Sequence, residues 1–124
     1  MHKSRLGVVV IDCQADDLDA ANAFWSAALD RKVDEADGKY TVLEGPAGEP
    51  KVLLQKVDHP SRVHLDIETD DLEAEVARLE KLGATRIGAV KRWVVMQAPT
   101  GHRFCVVMPQ RPDFDEGATQ WMNE

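Results

Sequence analysis

The stretch from Arg62 to Leu72 changes its hydrophobic period part-way along. Residues 62–68 alternate between apolar and polar, which predicts a β-strand with one apolar and one polar face. The residues that follow space their apolar side chains at helical intervals, so we expect a helix that covers the apolar strand face. That face consists of Val63, Leu65 and Ile67. The polar face carries His64 and Asp66, and it either meets solvent or lines a cavity.

Similar periods divide the rest of the chain into short strands and a second helix. Strands are predicted at 6–11, near 33, and at 40–43, 51–57, 62–68, 92–97 and 103–108, with a short strand or turn at 86–88. Helices are predicted from Asp16 or Asp17 to Leu29 and from Asp71 to Leu82, with Gly83 as a C-cap. The predicted buried stripe of the first helix is Leu18, Ala21, Trp25, Ala28 and Leu29.

This order of elements occurs twice. Asp16–Ala20 is similar to Asp70–Ala74 at an offset of 54 residues, and Pro46–Gly48 is similar to Pro99–Gly101 at an offset of 53. Each match falls at the same place in its half, so the chain consists of two β-α-β-β-β modules.

The two modules predict an α+β fold. They span about residues 4–57 and 61–109, within one domain at 1–110. Neither module alone covers both faces of its strands, so we expect a curved eight-stranded mixed sheet with the helices outside and a concave polar cup inside. Residues 111–124 form an acidic tail, which Phe114 and Trp121 tack onto the domain or a second subunit unless it frays.

Composition narrows the class of partner. The 124 residues carry a formal net charge of −7, which argues against nucleic acid or an anionic membrane, because both need basic patches. The apolar run 8–11 is too short for a signal peptide or a membrane span, so a cytoplasmic location is expected. Cys13 and Cys105 are then expected to be reduced thiols, buried as small hydrophobic side chains rather than forming a metal or redox motif.

Two modules with these junctions resemble the vicinal oxygen chelate superfamily, the group of glyoxalases, bleomycin resistance proteins and extradiol dioxygenases. The likeness is to the glyoxalase-like subgroup of small bacterial proteins. It is carried by Asp17–Leu29, which fits D-x-x-x-A-x-x-F-[YW]-x-x-x-L, and by Val63–Ile67, Asp71–Leu72, Trp93–Met96 and Ala98–Val107. Ala98 and Thr100 stand where the usual last turn is acidic. The resemblance implies the fold above, and it also implies a homodimer.

The resemblance further implies one divalent metal held by His, Gln or Glu side chains from four strands. His64 falls at one of these positions, and the offset of 54 places Val10 at its counterpart. Cys105 stands where the family usually has Glu. Its counterpart in the first module is Val52, or Leu53 if the hairpin slips by one residue.

Gln55 is the one polar side chain near the fourth position. One imidazole and one thiol fall short of the three or four ligands of a usual site. We therefore expect no metal and no other cofactor. A repositioned divalent-metal site using Asp12, Asp66 or His102 is the alternative.

His64 and Asp66 are the candidate catalytic residues. Two positions apart on one strand face, they lie about 7 Å apart at Cα, and a carboxylate beside an imidazole can tune it as a general base. The alternative is a structural ion pair between Asp66 and Arg62 or another arginine. The offset of 54 makes Asp12 the counterpart of Asp66, also on the concave side.

Other side chains are expected to line the ligand site. Trp93 can form an aromatic wall, a core contact or a dimer contact, whereas Trp25 is expected in the core. His2, His59 and His102 are expected to be solvated. The predicted ligand-binding set is Val10, Asp12, Gln55, His64, Trp93, Gln97 and Cys105. The sequence has no glycine-rich phosphate loop and no nucleophile-elbow motif.

These observations lead to three functional hypotheses. The first is a glyoxalase-like protein that binds a small organic molecule in the cup without the usual metal, as a resistance or sequestration protein does. The alternative is a metal-dependent lyase, isomerase or dioxygenase of the same superfamily that uses His64. The third is a non-catalytic partner or regulatory domain.

Overall fold

The structure is a computed structural model that describes residues 1–90 and 92–122. It consists mainly of short strands along which more buried and less buried side chains alternate. The strands are β1 (His2–Gln14), β2 (Val33–Ala36), β3 (Tyr40–Leu43), β4 (Lys51–Val57), β5 (Arg62–Thr69), β6 (Thr85–Val90), β7 (Trp93–Gln97), β8 (Arg103–Val107) and β9 (Thr119–Trp121). The helices are α1 (Asp19–Leu29), α2 (Leu72–Lys81) and α3 (Phe114–Gly117).

Hydrogen bonds arrange the strands in the order β2-β3-β4-β1-β5-β8-β7-β6, and β9 pairs with the start of β1. The β1–β4 and β5–β8 pairs are parallel, whereas the hairpins β2–β3, β3–β4, β6–β7 and β7–β8 are antiparallel. The predicted α+β class, with its mixed sheet and two modules, is confirmed. Over the described residues the sheet has a ninth strand, because the tail contributes β9.

The chain divides into two compact units, each with its own core. We call Val8–His64 the first unit, and Met1–Gly7 with Leu65–Glu124 the second unit. The first core contains Leu43, Val52 and Leu54, packed against Ile11, Ala21 and Trp25. The second core contains Val76, Leu79, Val94, Met96 and Val106, with Ile67, Leu72, Ala84 and Phe104 around it.

The predicted cover for the apolar face of β5 is only partly right. Ile67 packs into the second core, but Val63 is 58% exposed and Leu65 44% exposed. The reason is the position of α2, which lies against β6, β7 and β8. The alternation along β5 therefore predicted the strand correctly. The prediction that a helix covers its apolar face was wrong for Val63 and Leu65.

The two long helices follow their predictions unequally. α2 begins as predicted, because Asp71 accepts a hydrogen bond from the backbone N–H of Ala74. It ends just before Gly83, whose φ of +107° is the left-handed conformation that glycine adopts readily.

α1 starts later than expected, at Asp19, and has no side-chain cap. Trp25 and Ala21 pack on the first core as predicted, but Ala28 and Leu29 are exposed, so that part of the predicted stripe was wrong.

The C-terminal segment folds back on the second unit. Phe114 is buried, and the guanidinium of Arg5 lies 5.6 Å from its ring centroid. Trp121 donates from Nε1 to Ser4 Oγ at 2.8 Å, and Arg78 stacks 3.9 Å from its ring centroid. Both aromatic residues therefore tack the tail onto its own chain, which was one of the two attachments predicted.

His2 belongs to a buried polar cluster in the second unit, so the prediction of a solvated His2 was wrong. Its Nε2 lies 2.7 Å from Glu75 Oε1, and both side chains are fully buried. Arg78 donates to both Glu75 oxygens at 2.8 and 2.7 Å. A position next to the N-terminus gave no hint of this, because the partner lies 73 residues away.

No helix in the described part of the chain is long and apolar enough to span a membrane.

Candidate functional site

A row of polar side chains crosses the first unit on the sheet face opposite α1. Asp12 of β1 pairs directly with Gln55 of β4, which pairs with Tyr40 of β3, so the three side chains share one face. The flanking positions Ile11 and Leu54 point the other way, into the first core. Gln55 Nε2 donates to the Tyr40 hydroxyl at 3.4 Å.

Two basic side chains of β5 extend this row at Asp12. The carboxylate is 2% exposed, and its Oδ2 lies 2.7 Å from His64 Nδ1 and 3.6 Å from Arg62 Nε. Oδ1 of the same carboxylate has no hydrogen-bond partner among the described residues. A buried carboxylate is costly unless hydrogen bonds satisfy it, so this oxygen is a prepared acceptor. We call Tyr40, Gln55, Asp12, His64 and Arg62 the polar row.

The Asp12–His64 contact sets the chemistry of the imidazole. An ionised carboxylate only accepts hydrogen bonds, so Nδ1 carries the proton in this contact. The contact therefore fixes the orientation of the ring and the position of one of its protons. The sequence predicted Asp66 as a neighbour of His64 and missed the contact that Asp12 makes with Nδ1. Nothing local predicts this contact, since it spans 52 residues.

Asp66 lies in the second unit, directly opposite Cys105 on the neighbouring strand β8. A carboxylate oxygen of Asp66 and the Cys105 sulfur lie within 4.8 Å of each other. Arg62, one of the arginines predicted as alternative partners of Asp66, places its guanidinium beside Asp12.

The strand register corrects the predicted counterpart of Cys105. Cys105 pairs with Asp66 as Gln55 pairs with Asp12, so the counterpart is Gln55 rather than Val52 or Leu53. Val52 instead belongs to the first core. The prediction failed because Gln55 follows the glycine of its turn by seven residues and Cys105 by four, so the offset at the turns does not hold in the strands.

The metal implied by the resemblance can be tested against these donors. Val10 is buried and offers no ligand atom, whereas Gln55 donates to Tyr40 through Nε2 and would ligate a metal through Oε1. His64, Asp66 and Cys105 are an imidazole, a carboxylate and a thiol, which are donor types that zinc and iron accept. The chain therefore offers candidate ligands, but not the four-strand set of the family pattern.

The remaining predicted residues share one face of the second unit. Val94 and Met96 point into the second core, so Trp93 and Gln97 alternate to the opposite face of β7. Cys105 pairs with Val95 and lies on the same face. Arg103 Nε donates to Gln97 Oε1 at 3.1 Å, and Trp93 is half-buried.

Both cysteines are free, as predicted, but they are half-buried rather than buried. Burial, and then the nearby Asp12 carboxylate, raise the pKa of the Cys13 thiol. Cys13 is therefore an unreactive thiol rather than a nucleophile.

An open cleft of about 1100 Å³ lies beside the polar row in the first unit. Its walls are residues 14–16, 37–39 and 55–59, so Gln55 lines the cleft and also neighbours Asp12. Hydrogen bonds from the backbone N–H groups of Tyr40 and Lys39 lower the pKa of Asp37 and hold that wall in a turn. Sequence reasoning missed the cleft, because three segments that are far apart in the sequence form it: the end of β1, the turn at 37–39 and the end of β4 with the turn after it.

Comparison with known proteins agrees with this fold. Residues 8–107 match the family described as a glyoxalase-like domain. A search of curated proteins found no match.

Solved structures with the same fold include methylmalonyl-CoA epimerase from Mycobacterium tuberculosis, with a TM-score of 0.66 and 16% identity over 86% of this chain and 88% of that one. NAD-dependent benzaldehyde dehydrogenase from Legionella pneumophila gives a TM-score of 0.64 and 11% identity over 83% and 98% of the two chains. A variant of homoprotocatechuate 2,3-dioxygenase from B. fuscum gives 0.62 and 15% over 88% of this chain and 33% of that one.

At these identities the three structures show the fold alone. The family match covers most of the chain, and the order of elements agrees with it. The chain belongs to the glyoxalase-like domain family of the vicinal oxygen chelate superfamily.

Proposed function

We propose that this chain binds a small organic molecule at the polar row and adjoining cleft, without a bound metal, as a sequestration protein does. The observation that carries the proposal is Oδ1 of Asp12, a buried carboxylate oxygen with no hydrogen-bond partner in the described part of the chain. Buried polar atoms are nearly always satisfied, so an N–H or O–H group of a ligand is its natural donor. The cleft beside Gln55 has room for the rest of such a molecule.

The other side chains of the polar row complete the binding chemistry. Gln55 Nε2 donates to the Tyr40 hydroxyl oxygen, which leaves the hydroxyl proton able to point at a ligand acceptor. The Asp12–His64 contact orients the imidazole beside the buried carboxylate. The row thus combines a carboxylate acceptor with hydroxyl and guanidinium donors within the first unit.

Ligand screening by thermal shift and two-dimensional NMR tests the proposal. We expect compounds that raise the melting temperature to move the Gln55 side-chain amide and His64 ring signals. His64→Ala and Asp12→Asn should weaken binding about tenfold or more, whereas His102→Ala, at an exposed histidine of the last turn, should not. Ligands whose affinity is unchanged by both row variants would contradict the proposal.

The alternative is a metal-dependent lyase, isomerase or dioxygenase with His64 as a ligand. Two observations favour it: metal-bound histidines commonly hold their other nitrogen on a carboxylate, as His64 does on Asp12, and Asp66 and Cys105 offer two donors close together. Stoichiometric zinc, iron, nickel or manganese in protein purified without added metal, lost in both His64→Ala and Cys105→Ser, would establish this alternative. Metal-free protein that binds its ligands equally well after chelation supports the first proposal.

The resemblance also leads us to propose a homodimer that works in the cytoplasm. Light scattering coupled to size-exclusion chromatography tests the first part. A mass near twice 13.8 kDa is expected, and a monomer at all concentrations would contradict it.

A further inference from the structure

Arg62 is the second basic group at the Asp12 carboxylate, and its hydrogen-bonding capacity is unused. Its Nε lies 3.6 Å from Asp12 Oδ2, the oxygen that already accepts from His64, which is beyond hydrogen-bond distance. No residue in the described ranges accepts a hydrogen bond from this guanidinium, and its side chain is 52% exposed. The five N–H donors of Arg62 are therefore available to a ligand.

Asp12 and Arg62 present complementary chemistry next to each other. Oδ1 of Asp12 needs a donor, whereas the planar guanidinium of Arg62 favours two parallel hydrogen bonds to a carboxylate. A neutral amide would satisfy Arg62 poorly. A simple acid would satisfy Arg62 but bring a second negative charge beside Asp12 with no hydrogen bond between them.

We propose that the polar row recognises a small carboxylic acid that carries an O–H or N–H donor on the carbon next to the carboxylate. This inference rests on the proposed function and names its ligand class. The carboxylate binds Arg62, and the neighbouring donor binds Asp12 Oδ1. The remainder of the acid extends past Gln55 into the cleft.

The charges around the cleft favour this orientation over the reverse. Three aspartates, Asp16, Asp37 and Asp58, stand among the cleft walls beside Lys39 and Lys56. Such a mixed wall gives little net attraction for an anionic group, whereas the half-exposed guanidinium of Arg62 offers a direct partner for a carboxylate. The acid group therefore binds at the row and the less charged part of the molecule in the cleft.

Three matched probes test the two contacts separately. Mandelate carries both groups, phenylacetate lacks the hydroxyl, and mandelamide lacks the charge. In NMR titrations that follow the His64 ring and Gln55 side-chain signals, mandelate should bind about tenfold more tightly than either of the other two.

Arg62→Gln should remove the preference for mandelate over mandelamide while the spectrum stays folded. Arg86→Gln, which removes an arginine paired with the exposed Glu73 in the second unit, should leave that preference intact. The assignment is overturned if the three probes bind equally, if none moves the row signals, or if Arg62→Gln keeps the preference. If all three probes bind equally at the polar row, the ligand class proposed here is wrong but the proposed function stands. The proposed function is contradicted separately, by a ligand screen in which affinity is unchanged by both row variants.

Discussion

Asp12 and His64 are 52 residues apart, yet Asp12 Oδ2 lies 2.7 Å from His64 Nδ1. The Asp12 side chain is buried, and its other carboxylate oxygen has no hydrogen-bond partner among residues 1–90 and 92–122. The contact therefore does two things at once: it fixes which imidazole nitrogen holds the proton, and it positions an acceptor for a ligand.

The tautomer of His64 follows from this contact. In long-range proton–nitrogen NMR spectra above the titration of the ring, His64 should be protonated at Nδ1. His2 gives the opposite pattern in the same spectrum, because it meets Glu75 through Nε2. Asp12→Ala should return His64 to the Nε2–H form that free histidine prefers. An Nε2–H tautomer of His64 in the unaltered protein would show that Asp12 does not hold this ring.

Glu75 is expected to be among the most sensitive polar positions of the second unit. Glu75→Gln weakens contacts to Arg78 and His2, of which His2 is fully buried, so we expect a loss of about 2–3 kcal/mol in unfolding free energy. Denaturant unfolding measures this. The control is Glu73→Gln on the same helix, whose side chain is largely exposed, and it should cost less than about 1 kcal/mol. Equal losses for the two variants would contradict the role given to Glu75.

The same glutamate predicts a pH dependence. Burial raises the pKa of Glu75, but hydrogen bonds from Arg78, His2 and Ser4 outweigh it, so the pKa is lowered overall. A lowered pKa means that the stabilisation is complete above the unfolded value of about 4.3 and is lost as the pH falls through the folded value.

Unfolding free energies should therefore differ between the unaltered protein and Glu75→Gln by a constant amount above about pH 5. The difference should shrink below about pH 4. If the difference in unfolding free energy grew as the pH fell, the pKa of Glu75 would be raised rather than lowered.

Two glycines of the second unit provide a matched pair for packing. A Cβ at Gly7 would lie 2.7 Å from Glu68 Cγ, and that buried glutamate is held by Arg5 at 2.6 Å, so Gly7→Ala should destabilise by about 1–3 kcal/mol. A Cβ at Gly88 would meet nothing within 4 Å. Gly88→Ala should therefore be neutral or slightly stabilising in thermal unfolding. If Gly88→Ala lost more stability than Gly7→Ala, the packing of Glu68 against β1 would be refuted.

The strands, the helices and the repeat could be predicted because they depend on local periods. The alternation at 62–68 and the helical spacing after it both correspond to observed elements. The contacts of the site depend on which strands pair, and this information is not local. Asp12 contacts His64 because of how the strands pair, not because of a residue pattern. Gln55, rather than Val52, is the counterpart of Cys105 because the loops of the two modules differ in length.

The C-terminal tail also makes long-range contacts that local sequence pattern could not predict. Its sequence has no period, yet Trp121 is held by Ser4 and Arg78. The large aromatic residues were the one usable signal, and they predicted attachment without the partner. The cleft could not be predicted from the sequence, since its three walls come from segments that are far apart in the chain.

The central claim is that the polar row of the first unit binds a small organic molecule through Asp12. The most direct measurement is a crystal structure of the protein with a compound selected by thermal shift. The account predicts a ligand N–H or O–H group within hydrogen-bond distance of Asp12 Oδ1 and the rest of the compound in the cleft beside Gln55. A compound bound elsewhere, with Asp12 Oδ1 untouched, would contradict it.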